Sequence, residues 1–300
     1  MKSIKLLLSA LLALLVLQAC MRHEAHGPAG ENNEAVKDPK TDSASFTSGY
    51  SDVNGIRMYY EIHGSGKPLV LIHGGGSTIE TTFGRIIPYL SQHRQVIAVE
   101  LQAHGHTADR NADLSFEQDA DDVAALLKNL GIDKADIFGF SNGGTTALQI
   151  AIRHPELTGK VVAGSALLKR NGTLPQFWEF MKQARITHMP QQYKDAYLKI
   201  TGDSARLQNM HDKCAKRMND FSDVSDARLR SIKSPVLLVN GDADVATSEH
   251  MVQVSRLIPG CRLAIIPGSH GEYVGEITTL KPGRETKLTI MPILEEFLEL

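Results

Sequence analysis

The chain has 300 residues, of which 42% are hydrophobic and 22% charged, with a formal net charge of -2. That balance is ordinary for a soluble globule, and it leaves no clustered Lys/Arg field of the kind that displaces phosphate counterions, so nucleic-acid binding is disfavoured. With roughly the first 50 residues set aside, the remaining ~250 suit one large α/β domain.

Met1 to Lys5 carries two lysines, and Leu6 to Leu17 is apolar apart from Ser9. A run of about 12 residues is too short for the ~20 that a spanning helix needs. Residues 1–19 therefore read as the signal peptide of an exported protein. The run ends in Leu17-Gln18-Ala19-Cys20, which resembles a bacterial lipobox with an unusual Gln18. The resemblance implies cleavage before Cys20, a lipid on that cysteine and a membrane partner, facing the periplasm or cell surface. An ordinary cleaved signal peptide is the alternative. Residues 20–48 are polar and poor in aliphatics, with Pro28 and Pro39, and are expected to be a tether. Cys214 and Cys261 remain. An oxidising compartment would permit them to pair, but they lie in different segments and pairing needs Cα atoms within ~7 Å.

The folded domain is assigned to residues 49–300. Tyr50–Val53 and Ile56–Ile62 flank Asn54-Gly55, a two-residue hairpin signal. Leu69–His73 is an apolar strand running into glycines, Phe83–Leu90 looks helical despite Pro88, and Gln95–Leu101 is a buried strand. Ser115 and Gln118 suggest a capping box opening a helix through Leu130, with Phe116, Ala120, Val123, Leu127 and Leu130 on its apolar face and Gly131 as its stop. Strand Asp136–Phe140, helix Gly143–Arg153, strands Val161–Ala166, Val236–Asn240 and Arg262–Ile266, and helix Ile290–Leu300 complete the series. Alternating βα units predict a doubly wound, mostly parallel sheet covered on both faces. Residues 169–233 break the rhythm: they are helix-compatible and rich in aromatics, including Trp178. An insertion there is expected to form a helical cap over the strand ends, with Trp178 lining the pocket beneath it.

Gly139-Phe140-Ser141-Asn142-Gly143-Gly144 follows a strand and precedes a helix, the setting in which a nucleophile elbow lifts a serine clear of a sheet. Upstream, Leu71-Ile72-His73-Gly74-Gly75-Gly76-Ser77 ends another strand. Its glycines allow backbone N–H groups to approach a reacting carbonyl, with the N–H of Asn142 as the second donor. The same glycines could form a phosphate nest, but Gly-Lys-Ser/Thr and G-x-G-x-x-G are both missing. His104-Gly105-His106 with Asp109 invites a metal reading, yet the spacing matches no familiar ligand set. Neither metal nor cofactor is expected.

The order strand, His-Gly-Gly-Gly, strand, Gly-x-Ser-x-Gly, cap, acid, histidine resembles the α/β-hydrolase family, from about Tyr50 to the C-terminus. The resemblance implies a triad of Ser141, an acid in Gly241-Asp242-Ala243-Asp244, and His270 in Pro267-Gly268-Ser269-His270. The family's Gly-x-x-Asp turn favours Asp244, with Asp242 as the competitor. It also implies an oxyanion hole from Gly75 and Asn142, with His73 ordering the glycine loop and His106 bordering the pocket. The loop at 100–106 departs from the family's Asp-x-x-Gly-His-Gly pattern at Glu100 and Ala103. The nearest flavour is the small capped esterases, enol-lactonases and carbon–carbon bond hydrolases, which implies a carboxylic ester or lactone of a small molecule as substrate. Perhydrolase chemistry, or a silent binding protein on the same fold, are the alternatives.

Overall fold

The computed structural model describes residues 46–300. The expected signal peptide, Cys20 and the tether up to residue 45 lie outside the described residues. Strand β1 (Thr47–Val53) begins within the last residues assigned to the tether and pairs antiparallel with β2 (Ile56–His63). The turn is made by Asn54 and Gly55, both at positive φ, as a tight hairpin requires.

The remaining strands are β3 (Pro68–Ile72), β4 (Gln95–Val99), β5 (Ala135–Phe140), β6 (Thr158–Gly164), β7 (Val236–Ala243) and β8 (Arg262–Ser269). They form one eight-stranded sheet of order β1-β2-β4-β3-β5-β6-β7-β8. Every pair from β4 to β8 is parallel, and β2 meets β4 antiparallel. The winding reverses between β3 and β5, which opens a crevice at their carboxyl ends.

Helices α1 (Ile79–Phe83), α2 (Ile87–Leu90), α3 (Phe116–Asn129) and α4 (Asn142–Arg153) follow β3, β4 and β5. After β6 come α5 (Pro175–Lys182), α6 (Gln191–Thr201), α7 (Ser204–Asn219) and α8 (Asp226–Arg230), and after β7 and β8 come α9 (Ser248–Leu257) and α10 (Met291–Leu298). Successive strand residues point to opposite faces, and two cores result. Val70, Ile72, Ile137, Val161 and Leu238 pack with Leu127 of α3 and Leu148 of α4. Leu69, Leu71, Phe138, Val162 and Leu237 pack with Phe83, Leu90 and Phe297 on the other face. Continuous apolar runs in the central strands follow directly, because neither face meets water.

Two local expectations are corrected. Phe83–Leu90 is not one helix: α1 ends at Phe83 and α2 starts at Ile87. Thr78 caps α1 reciprocally with Thr81, accepting its N–H at 3.3 Å and donating its own N–H at 2.7 Å. Pro88 sits in the first turn of α2, where its missing N–H costs nothing. At α3 only half of the capping box forms: Ser115 Oγ accepts the Gln118 N–H at 3.1 Å, but the Gln118 amide turns to Asp122 Oδ1 at 2.9 Å.

Between β6 and β7 the described residues hold α5 to α8 and two short 3₁₀ turns, without a strand. Gly202, left-handed at φ 61, ends α6, and Asp203 Oδ1 accepts the N–H groups of Ala205 and Arg206 to open α7. These helices lock onto the 100–107 loop: Tyr197 donates to the Ala103 carbonyl at 2.9 Å, and Arg206 Nη2 donates to the carbonyls of Gly105 and Thr107.

Candidate active site

Ser141 stands at the head of α4 with φ 55 and ψ -120, a conformation that costs of order 1–3 kcal/mol for a residue with a side chain. The flanking glycines exist because the turn has no room. A Cβ on Gly139 would lie 1.9 Å from the Gly143 carbonyl oxygen, and one on Gly143 would lie 2.0 Å from that of Ile72. The serine is thereby raised over the crevice between β3 and β5.

Asp244 and His270 arrive from the ends of β7 and β8. His270 Nε2 is 3.1 Å from Ser141 Oγ, and His270 Nδ1 is 2.6 Å from Asp244 Oδ1. Two carboxylates competed for that place. Asp242 instead accepts the Gly268 N–H at 2.8 Å, bracing the end of β8 on the exposed side. The Asp244 side chain is fully buried. It accepts three further hydrogen bonds, from Ser165 Oγ at 2.6 Å, the Gly241 N–H at 3.2 Å and the Val245 N–H at 2.6 Å. Ser165, itself at φ 50, also lies 2.7 Å from the Tyr273 hydroxyl.

Burial alone would raise the Asp244 pKa, but the His270 charge and hydrogen bond, with Ser165 and the Gly241 N–H, hold it below the ordinary carboxylate range. Burial works against a charged His270, yet Asp244, with Glu276 behind it, keeps the imidazole above its ordinary value. With Nδ1–H committed to the carboxylate, Nε2 is the lone pair facing the serine hydroxyl.

The glycine loop is shaped by two histidines. His73 Nδ1 donates to the Gly74 carbonyl at 2.7 Å and its Nε2 accepts the Leu101 N–H at 3.1 Å. His104 Nδ1 donates to the Gln102 carbonyl at 2.8 Å and its Nε2 accepts the Gly76 N–H at 3.0 Å. Burial, helped by the Arg217 charge and opposed by Glu100, lowers their pKa values to about 3 and about 4. Both stay neutral and accept backbone N–H groups. Gly75 adjoins Asn142 so closely that a Cβ there would lie 2.2 Å from the Asn142 amide nitrogen.

Other expected site residues go elsewhere. The His106 ring stacks on Tyr59 at 4.2 Å, and both its N–H and its Nδ1 bond Glu100 Oε2 at 2.6 and 2.9 Å. Glu100, the departure from the family pattern, is thus the buried anchor of its loop, and His106 belongs to that anchorage. Trp178 is 8% exposed. Its indole N–H donates to the Arg170 carbonyl at 2.7 Å, and its ring is packed by Phe177, Phe221 and the Arg170 guanidinium. With ring and N–H both taken, Trp178 joins the core cluster instead of lining a pocket. Cys214 and Cys261 are free thiols. Among the described residues no cluster of His, Cys, Asp and Glu is arranged to hold a metal, and no helix is long and apolar enough to cross a membrane.

Reasoning from sequence missed Ser165, Tyr273 and Glu276. Ser165 had one signal, a serine directly after a buried strand beside the acid's strand. The other two lie in the loop after His270 and carry no motif.

Residues 67–198 match a family model described as alpha/beta hydrolase fold. The architecture agrees with a serine hydrolase involved in carbazole degradation, with TM-score 0.69 and 21% identity over 85% of this chain and 99% of that one. It agrees also with the enol-lactonase from Burkholderia xenovorans LB400, with TM-score 0.65 and 21% identity over 84% and 100% of the two chains. This chain is an α/β-hydrolase-fold protein. Among its sequence relatives, the 2-hydroxymuconate semialdehyde hydrolase of Pseudomonas sp. (strain CF600) is 38% identical over 117 residues, 37% of this chain and 41% of that protein. The chain spans about half the length of the curated relatives it matches first, between 46% and 48% of each. Several of its named relatives are hydrolases.

Proposed function

We propose that the chain is a serine hydrolase cleaving a carboxylic ester or lactone of a small substrate through an acyl-enzyme on Ser141. One observation carries this reading: a hydroxyl, an imidazole and a buried carboxylate in line at 3.1 and 2.6 Å, on a strained turn above the sheet. His270 takes the Ser141 proton as the oxygen attacks the carbonyl. The resulting oxyanion lies against the N–H groups of Gly75 and Asn142. His270 then returns the proton to the leaving alkoxide, and the C–O bond breaks. Water attacks the acyl-serine by the same route, releasing the acid and restoring the serine hydroxyl. Asp244 holds the imidazole tautomer and stabilises its cation.

Labelling by a fluorophosphonate probe, lost in Ser141→Ala together with turnover of short acyl esters, is the expected result. No labelling of the intact chain would favour a silent binding protein. A second reading, hydrolysis of a carbon–carbon bond, is favoured by the names of the relatives and predicts turnover of a vinylogous 1,5-diketone in the same assay. Peroxide-dependent halogenation would instead mark a perhydrolase. We propose further that the protein is exported and lipid-anchored through Cys20, so that Cys20→Ser releases it from membranes. Membrane association that persists would end the anchoring proposal.

A further inference from the structure

The acid of the triad has two oxygens, and the base uses only one of them. Oδ1 of Asp244 meets His270 Nδ1, while Oδ2 accepts the Ser165 hydroxyl at 2.6 Å. Ser165 Oγ in turn lies 2.7 Å from the Tyr273 hydroxyl. All three side chains are shut off from water: that of Asp244 is fully buried, and Ser165 and Tyr273 are 4% and 2% exposed. An ionised carboxylate can only accept, so the single Ser165 proton points at Asp244. The Tyr273 proton must then point at Ser165. The two bonds run in one direction, from Tyr273 through Ser165 to the acid.

The backbone is bent to allow this. Ser165 extends β6 by one residue, its N–H on the Val239 carbonyl at 2.7 Å, and it does so at φ 50. That region favours glycine, and a serine there carries strain that the bond to Asp244 offsets. Gly164 makes room for the phenol, since a Cβ there would lie 2.7 Å from the Tyr273 hydroxyl oxygen. The Tyr273 ring meets Phe140, the residue before the nucleophile, edge-on at 6.2 Å. Packing alone would be served as well by phenylalanine and glycine, with no buried hydroxyls to satisfy. Burial and the Asp244 charge push the Tyr273 phenol well up, so it remains a donor.

We propose that Ser165 and Tyr273 are positioning residues of the triad, fixing Asp244 Oδ2 so that Oδ1 stays aimed at His270. Ser165 also draws part of the carboxylate's charge away from the imidazole, and Tyr273 acts only through Ser165. The inference rests on the Ser141 reading and adds two members to its machinery, neither of which touches substrate.

The test follows p-nitrophenyl acetate turnover against pH in Ser165→Gly, Tyr273→Phe and the double variant. Glycine suits the backbone at φ 50, so Ser165→Gly removes the hydroxyl and relieves the turn at once. It is expected to lower kcat by about tenfold, the size of one hydrogen bond to a charged group, with KM little changed. His270 is faced by Asp244 and Glu276, and Asp244 by His270 and Tyr273. Without the Ser165 proton on Oδ2, more of the Asp244 charge acts on the imidazole. The midpoint of the acid limb should therefore rise, by about half a pH unit, whereas a merely structural defect leaves it in place. Tyr273→Phe should act in the same direction with a loss of about threefold, and the double variant should be no worse than Ser165→Gly. A midpoint that stays or falls in Ser165→Gly, an unchanged kcat, or losses that multiply in the double variant would overturn the proposal. Should Ser165→Gly not fold, Tyr273→Phe carries the test alone, and an unchanged kcat and midpoint there sink it. Fluorophosphonate labelling separates the two levels. An intact chain that takes no label ends the serine reading and this inference with it, while equal labelling rates in the intact chain and Ser165→Gly end only the positioning role.

Discussion

The turn joining β5 to α4 and the helical insertion between β6 and β7 are built on opposite principles. At the turn, atoms of three segments come so close that a single methyl group at Gly139 or Gly143 would overlap a backbone carbonyl. Sequence and geometry there are nearly interchangeable. In the cap, helices α5 to α7 are joined by packing of Trp178, Phe221 and Met210 and by bonds to carbonyls of a distant loop. Many sequences satisfy such requirements. Geometry that needs ångström placement is therefore carried by the sheet and its turns, and the cap is held by packing that many sequences could supply.

Substitutions can break or sharpen that contrast. Ser141→Ala should lower ester turnover most, by about 10⁶-fold if the serine-protease template applies, with the melting temperature little changed. Asp244→Asn should cost about 10⁴-fold, and Asp242→Asn far less, because Asp242 holds only the Gly268 N–H. The reverse ranking would remove Asp244 from its role. Gly143→Ala tests the turn directly: the clash with Ile72 should cost about 1–3 kcal/mol of stability, read by denaturant unfolding, and lower kcat as well. On the cap side, Trp178→Phe should cost about 1 kcal/mol, from the lost bond to Arg170, and leave KM unchanged. A large KM effect would restore Trp178 to the pocket.

The smallest effect is a shift of pH. His270 acts as a base only when neutral, and Asp244 raises its pKa. Activity should therefore fall with acidification through a midpoint above the ordinary ~6.5 of histidine. In the residual activity of Asp244→Asn that midpoint should move down, and an unmoved midpoint would mean that another group titrates.

How much could be read beforehand follows the same division. Small residues on both sides of Ser141 are demanded by crowding, so the motif was visible, and strand alternation made the sheet visible too. The choice between Asp242 and Asp244 was open because the two stand two residues apart at the end of β7, where the pairing with β8 shifts register between Gly241 and Ala243. The break between α1 and α2 was hidden because the apolar period runs across it, although Gly84 ends α1 and Pro88 sits in the first turn of α2. Trp178 misled because a large aromatic in a cap serves packing as readily as a pocket.

Ser141 and the base it needs are separated by 129 positions, and that base follows β8, one of the two edge strands of the sheet. Any fragment that ends before His270 carries the hydroxyl on its turn but no group to take the proton. On the proposed reading the chain is chemically inert throughout its synthesis and during any passage in an extended form. On that reading the site is complete only where the pairing of β8 with β7 brings His270 beside Ser141.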